Sequence, residues 1–95
     1  MKRELLSGQE VERRLAGLDW ELDGRHLRKD LTFVDFREAM AFVNRVADLA
    51  EERNHHPDIT ISWNRVGLRL TTHDRGGLTD RDFDLAGAVD ALGRG

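Results

Sequence analysis

Apolar residues recur every three or four positions in three stretches of the chain, and this spacing predicts three helices. The first two begin at capping-box patterns, Ser7-Gly8-Gln9-Glu10 and Asp35-Phe36-Arg37-Glu38, and the third begins at Thr79 with Asp82 in its first turn. The apolar positions of the three helices are, in order, Val11, Leu15 and Leu18; Phe36, Ala39, Met40, Val43, Val46, Ala47 and Ala50; and Leu85, Ala88, Val89 and Leu92.

Between the helices, alternating apolar and polar positions predict two antiparallel hairpins. The first turns at Asp23-Gly24, because this dipeptide readily adopts the positive φ values that a two-residue turn needs. Its strands carry Trp20 and Leu22 before the turn and Leu27, Leu31 and Phe33 after it. The predicted order of elements is therefore α-β-β-α-β-β-α.

The second hairpin determines where two histidines lie. A two-residue loop at Asn64-Arg65 would pair Trp63 with Val66, and the same register would set His56 opposite His73 on the polar face. A four-residue loop would slide the pairing by one step and still keep both histidines on that face, whereas a three-residue bulged loop would not. Trp63 falls on the apolar side, where packing in the core and walling a pocket are both open interpretations.

The long middle helix ends near Arg53 or Asn54, because Pro57 cannot continue a helix and disfavours helical geometry at His56. Phe42 and Leu49 lie one heptad apart on a second flank of this helix. Two explanations fit them: a helix that is broadly buried in its own chain, or a subunit interface.

Composition limits the number of domains, the kinds of partner and the cellular location that we expect. Ninety-five residues with a net charge of −3 suffice for one domain, residues 1–95, which would bury roughly two thirds of its unfolded surface. Arginines alternate with acids, so there is no basic stripe for nucleic acid, and no apolar run is long enough for a membrane span. Cysteine is absent and the first residues are charged, and we therefore expect a cytoplasmic location.

Three of the four histidines lie within nineteen residues, at His55, His56 and His73. Imidazole exchanges protons near neutral pH, so this grouping favours general acid–base chemistry. His55 and His56 also fit a simpler interpretation, as exposed residues favoured by a helix C-terminus. His26 has no partner in the sequence and is interpreted as a surface residue.

Two carboxylates are candidates to orient these imidazoles. Glu51 precedes His55 by four residues, a helical spacing that allows contact, although the pair is also an ordinary surface pair. Asp82 is a capping residue by position, and capping does not exclude orienting a histidine. Metal binding is disfavoured, because adjacent His55 and His56 diverge on a helix or strand and no i, i+4 histidine pair exists. Nucleophilic catalysis has neither a cysteine nor a nucleophile-elbow serine.

The spacing of these residues resembles the pattern of the pterin-4a-carbinolamine dehydratases, also called 4a-hydroxytetrahydrobiopterin dehydratases. The pattern is Glu51-x-x-x-His55-His56-Pro57, five residues, Trp63, nine residues, His73, eight residues and Asp82. The segment from Phe33-Val34-Asp35-Phe36 through Arg45-Val46 is similar to the family's long helix and its entry. The resemblance implies an α+β fold, with a four-stranded antiparallel sheet and three helices packed on one face.

The resemblance also implies a reaction, the dehydration of 4a-hydroxytetrahydrobiopterin to quinonoid dihydrobiopterin after aromatic amino acid hydroxylation. No cofactor or metal is implied, because the pterin is the substrate. On this likeness His55 and His73 carry the acid–base steps and His56 mainly holds the pterin, although adjacent histidines can exchange these roles. Glu51 and Asp82 orient the imidazoles, and the implied substrate contacts are His55, His56, Pro57, Thr72, His73 and Asp74.

Partners follow from the same likeness. Family members associate as homodimers or homotetramers through sheet edges and the long helix, which would account for Phe42 and Leu49, and a functional coupling to a hydroxylase is implied. An alternative is a non-catalytic accessory module that binds a pterin or another protein, as in animal members that act as dimerisation cofactors of a homeodomain transcription factor.

Overall fold

A computed structural model of the protein describes residues 4–93, and its centre is one four-stranded antiparallel sheet. The two central strands pair with each other, which joins the two predicted hairpins into the order β1-β2-β4-β3 with β1 and β3 at the edges. The strands are β1 Glu21–Asp23, β2 His26–Thr32, β3 Asp58–Ser62 and β4 Arg65–Leu70, and the helices are α1 Gly8–Leu15, α2 Phe36–Arg53 and α3 Asp80–Leu92. The predicted α+β class and element order are confirmed.

The helices cover one face of the sheet. Alternate residues of the central strands point into this layer and are at most 4% exposed: Leu27, Leu31, Val66, Leu68 and Leu70. The intervening positions, such as Arg28, Asp30 and Arg69, form a polar outer face where Arg28 lies within 3.7 Å of three carboxylates. Strict alternation thus separates a helix-packed face from a solvated one.

Helix α2 buries a different part of its apolar surface from the part that its spacing predicts. Phe42 is 1% exposed and its ring lies 5.1 Å from that of Phe33, while Leu49 packs partly buried against the same core. Phe36, assigned to the core by its spacing, is 51% exposed. Phe42 is therefore buried in its own chain and is not an interface residue, whereas for the partly buried Leu49 the interface interpretation stays a prediction. The apolar arc of α2 is wider than one contact face, and packing in the core, which includes the contact of Phe42 with Phe33, selects the part that is buried.

Both hairpin turns differ from the prediction by a small shift. In the first, Asp23 still pairs with His26, so the turn is Gly24-Arg25, with Gly24 at φ 63°. In the second, Ser62 pairs with Arg65 and Ile61 with Val66, so the turn is Trp63-Asn64. The second register therefore differs by an even step, and the side-chain parity is kept.

The alternating pattern places Trp63 on the apolar side of the strand, and this prediction is wrong. Trp63 is the first residue of the turn, at φ 54°, and it is 69% exposed. A bulky residue in the left-handed region costs roughly 1–2 kcal/mol. Asn64 compensates locally by exchanging two hydrogen bonds with the backbone of Phe33, at 2.8 and 2.9 Å. Trp63 therefore does not pack in the core.

At α1 and α2 the predicted N-cap side chains are confirmed, but the reciprocal bonds of the predicted capping boxes do not form. The side chains of Ser7 and Asp35 each accept from the amide three residues later. The Glu10 carboxylate does not accept from the Ser7 amide, because it binds Arg13 and Arg14 instead. These hydrogen bonds lower the pKa of Glu10 to about 2.

The assignment of the buried face of α2 can be tested by two matched truncations. Phe42→Ala should lower the free energy of unfolding by about 3–5 kcal/mol, because it empties a fully packed site. Phe36→Ala should cost at least about 2 kcal/mol less, because half of this side chain is already in solvent. Urea denaturation measures both, and equal losses would contradict the orientation of α2.

Candidate active site

The end of helix α2 places the first histidine. Asn54 adopts the left-handed conformation at φ 48°, and its amide donates to the Glu51 carbonyl at 3.2 Å. The His55 amide donates to the Ala50 carbonyl at 3.1 Å, which completes a Schellman-type ending. Asparagine tolerates this backbone conformation better than most residues. The chain therefore leaves the helix at Asn54, as predicted from Pro57, and turns His55 toward α3.

His55 and Asp82 form a buried pair. The His55 Nε2 atom lies 2.6 Å from Asp82 Oδ1, and the two residues are 8% and 0% exposed. An ionised carboxylate only accepts hydrogen bonds, so Nε2 then carries the proton and Nδ1 carries the lone pair. The predicted contact between Asp82 and a site imidazole is present.

Glu51 contacts a different histidine from the one that its spacing suggests. Its carboxylate lies 2.5 Å from His56 Nε2, and both side chains are largely exposed, at 76% and 55%. The expected pair with His55 does not form, because the left-handed Asn54 ends the helix before the i, i+4 geometry reaches His55. His56 is thus held by an exposed contact and His55 by a buried one.

Asp82 also binds the segment that precedes the third histidine. Its Oδ2 accepts from the Thr72 hydroxyl at 2.8 Å and from the Thr79 amide at 2.9 Å, the latter as part of the capping box of α3. The hydroxyls of Thr72 and Thr79 lie 2.8 Å apart. All three residues are at most 1% exposed, so one carboxylate satisfies several buried donors at once.

The turn after β4 presents His73. The Thr72 carbonyl accepts from the amides of Arg75 and Gly76, each at 3.0 Å, which closes a single 3-10 turn over His73–Arg75. Gly76 ends that turn at φ 72°, a value that favours glycine. His73 is exposed, and within residues 4–93 its imidazole has no hydrogen-bond partner. Both of its nitrogens are therefore available to a ligand.

One cavity of about 290 Å³ brings the three histidines together. Four predicted site residues besides His55 line it, namely His56, Thr72, His73 and Asp74, together with Asn54 and Thr71. Pro57 and Trp63 are not part of the lining. Trp63 follows the last residue of β3 and lies roughly 16 Å from the strand's first residue, Asp58, at about 3.3 Å per residue. The predicted direct pairing of His56 with His73 is wrong, because β4 ends at Leu70 and His73 belongs to the following turn.

Arg81 is a site-supporting residue that sequence reasoning missed. Its guanidinium, from the first turn of α3, donates to the carbonyls of Asn54 at 2.5 Å and Arg53 at 3.3 Å. These carbonyls are left without helical partners where α2 ends. The contact fixes the peptide that leads into His55. Nothing in the local spacing of Arg81 signals it, since the two segments are far apart in the chain.

This arrangement suits proton transfer to and from a small ring. One imidazole is fixed by a buried carboxylate, one is restrained at the surface, and one is free to adjust. Within residues 4–93, no cluster of three or more histidine and acidic side chains is arranged to hold a metal ion. In the same range, no helix is both long and apolar enough for a membrane crossing.

Comparison with known proteins gives consistent matches over nearly the whole chain. Residues 4–92 match the sequence profile of the family described as Pterin 4 alpha carbinolamine dehydratase. A relative from Acidobacterium capsulatum, named "Putative pterin-4-alpha-carbinolamine dehydratase", is 52% identical over 92% of this chain and 96% of its own. A relative of the same name from Thermomicrobium roseum is 64% identical over 70% of this chain and 72% of its own.

Two solved structures share the fold. A transcriptional coactivator/pterin dehydratase from Brucella melitensis superposes with a TM-score of 0.88 at 34% identity, over 94% of this chain and 98% of the other. A pterin dehydratase-like protein described as a RuBisCO assembly factor in the alpha-carboxysome superposes with a TM-score of 0.64 at 26% identity, over 79% and 87% of the two chains.

The two orienting carboxylates should differ sharply in their contribution to stability. Asp82→Ala should lower the free energy of unfolding by about 3–5 kcal/mol, because it leaves the Thr79 amide, the Thr72 hydroxyl and the His55 ring unsatisfied in a buried place. Glu51→Ala should change it by less than about 0.5 kcal/mol, because its contact is exposed. Urea denaturation of the two variants compares them; similar stabilities would refute the central role of Asp82.

Proposed function

Because this chain belongs to the pterin 4 alpha carbinolamine dehydratase family, we propose that it is a hydro-lyase that dehydrates 4a-hydroxytetrahydrobiopterin to quinonoid dihydrobiopterin. The observation that carries the proposal is the convergence of three imidazoles on one cavity of about 290 Å³. That volume is close to the lower limit for small-molecule sites, about 300 Å³, which suits one bicyclic ring.

The reaction is a loss of water across N5 and C4a. A base removes the N5 proton, the N5–C4a double bond forms, and the C4a–O bond breaks as an acid protonates the departing hydroxyl. No redox change occurs, so the proposed reaction uses no cofactor and the pterin is the substrate. Positioned acids and bases typically accelerate such steps by about 10²–10⁴-fold.

His55 is the proposed base in this scheme. Asp82 holds its Nε2 side, so the lone pair is on Nδ1, and the buried carboxylate offsets the charge that the ring gains on protonation. His73 is the proposed acid, since its ring is exposed and free to approach the leaving hydroxyl. His56 mainly holds the pterin, with Glu51 restraining its ring.

Three other residues near the cavity have proposed roles in binding or positioning the pterin. Asp74 lines the cavity and is proposed to bind the ring edge, whereas the Thr72 hydroxyl is committed to Asp82 and acts through position. Pro57 is proposed to shape the approach beside His56 rather than the cavity itself. Physiologically, this activity would recycle the pterin released by an aromatic amino acid hydroxylase, to which the protein would be functionally coupled.

Single histidine replacements test the assignment. His55→Ala and His73→Ala should each lower kcat by about 100-fold or more with the fold intact, because each removes a proton-transfer group. His56→Ala should raise KM more than it lowers kcat. The readout is the rate of quinonoid product formation from 4a-hydroxypterin generated by a hydroxylase, with circular dichroism as the check on folding.

His26→Ala is the matched control, since His26 lies in β2 and does not line the cavity. It should leave kcat and KM unchanged. Unchanged turnover in both His55→Ala and His73→Ala would defeat the acid–base assignment. If the wild-type protein binds the pterin without accelerating its dehydration, the accessory role is favoured instead. The carboxysome neighbour is described as a RuBisCO assembly factor, which is an accessory role of that protein.

Self-association is a further part of the proposal, through a surface that does not include the buried Phe42. Four large apolar side chains are exposed near one end of the sheet: Val34 at 79%, Phe36 at 51%, Ile61 at 38% and Trp63 at 69%. One backbone hydrogen bond and one from the Asn64 side chain join Phe33 and Asn64, so their chain neighbours Val34 and Trp63 lie at the same end of the sheet. β3 beside them is an edge strand that pairs with β4 on one side only, and such open edges readily pair with another chain.

We expect the protein to form a homodimer or homotetramer through this surface. Sedimentation velocity should give a mass above that of one chain, and Trp63→Ser should shift the distribution toward the monomer. Leu22→Ser is the control, because Leu22 is also exposed, at 47%, but lies in β1 at the opposite edge. A wild-type protein that sediments as a monomer at all concentrations would contradict this expectation.

A further inference from the structure

A second cavity, larger than the candidate active site, lies between α1, the first hairpin and the segment after the 3-10 turn. Its volume is about 500 Å³, and it shares no lining residue with the histidine cavity. Its walls are mainly apolar and include Leu5, Leu6, Val11, Leu22 and Leu78. Leu5 and Leu22 are 56% and 47% exposed, so the apolar wall is open to solvent. Volume and lining are those of a small-molecule site.

Two arginines lie at this apolar wall. Arg25 and Arg75 both line the cavity, and neither forms an ion pair within residues 4–93. The Arg25 guanidinium makes one long hydrogen bond, 3.4 Å to the Gly76 carbonyl. By contrast, Arg28 on the outer face has three carboxylates nearby. In a chain with 18 acidic and 15 basic residues, two unpaired guanidiniums beside one cavity leave a local excess of positive charge.

The first turn of α1 adds to this charge. Gly8 is the first residue of the helix and lines the cavity, so the positive end of the helix dipole lies there. Ser7 caps only the Glu10 amide, which leaves earlier amides of the turn for other acceptors. One carboxylate, the exposed Glu12, also lines the cavity and opposes an anion from its side. Two guanidiniums and a helix start outweigh it.

We propose that this cavity binds a small monocarboxylate with a hydrocarbon body. The carboxylate would take the guanidiniums of Arg25 and Arg75, whose planar donor geometry matches it. The hydrocarbon body would cover the leucine wall, which is otherwise exposed to water. The site is independent of the proposed dehydratase activity, because its lining residues are separate.

The test uses sodium 3-phenylpropionate as the probe and amide NMR as the readout. Titration into the full chain should give saturable shifts at Gly8, Gly77 and Leu78, with a dissociation constant of about 1 mM for a ligand of this size. The uncharged analogue 3-phenylpropanamide should bind at least about fivefold more weakly, because it cannot form the charge-assisted contacts.

Variants decide whether the two arginines form the site. The double replacement Arg25→Gln with Arg75→Gln should weaken binding at least about fivefold. Arg37→Gln is the matched control, since Arg37 is an exposed arginine of α2 with no ion pair within the described chain and lies outside this cavity. Its affinity should equal that of the wild type. The proposal is overturned if the shifts do not saturate, if the amide binds as well as the acid, or if the double variant binds like the wild type.

Discussion

The buried carboxylate of Asp82 is the interaction on which the arrangement of the histidines depends. It binds the ring of His55 through one oxygen, and the Thr72 hydroxyl and Thr79 amide through the other. It therefore ties together the end of α2, the end of the sheet and the start of α3. A buried charge is tolerated only when hydrogen bonds replace water, and here they come from the segments that must be positioned. The same hydrogen bonds of Asp82 therefore stabilise the fold and hold the site residues in place.

The start of α3 acts on the site through two adjacent residues. Asp82 holds a side chain of the histidine segment, while Arg81 holds its backbone by donating to the Asn54 carbonyl. The left-handed Asn54 leaves helical carbonyls unpaired, and a guanidinium with several donors can satisfy two of them. The helix end that turns His55 into the cavity is thus stabilised from the neighbouring helix. Orientation of a reacting group by locked neighbours is what precise proton transfer requires.

The three imidazoles differ in how firmly they are held, and this difference fits a division of tasks. His55 is buried against a carboxylate, His56 is restrained by an exposed glutamate, and His73 is carried on a glycine-ended turn without a partner within residues 4–93. Membership of the pterin carbinolamine dehydratase family gives this cavity a proposed substrate. The structurally similar carboxysome protein, at 26% identity, has the same fold but is described as a RuBisCO assembly factor. The fold alone therefore does not determine function.

Local pattern by itself determined the helices, their caps, the strand alternation and the candidate histidines, because each depends on residues close in the chain. The end of α2 and the capping box of α3 were predictable for this reason. Tertiary structure alone decided which flank of α2 is buried, because packing in the core, including the contact between Phe33 and Phe42, selects one part of a wide apolar arc. It also decided that Glu51 meets His56 and Asp82 meets His55, since a single left-handed residue redirects the chain. The role of Arg81 depends on two segments 27 positions apart, a contact that no local spacing encodes.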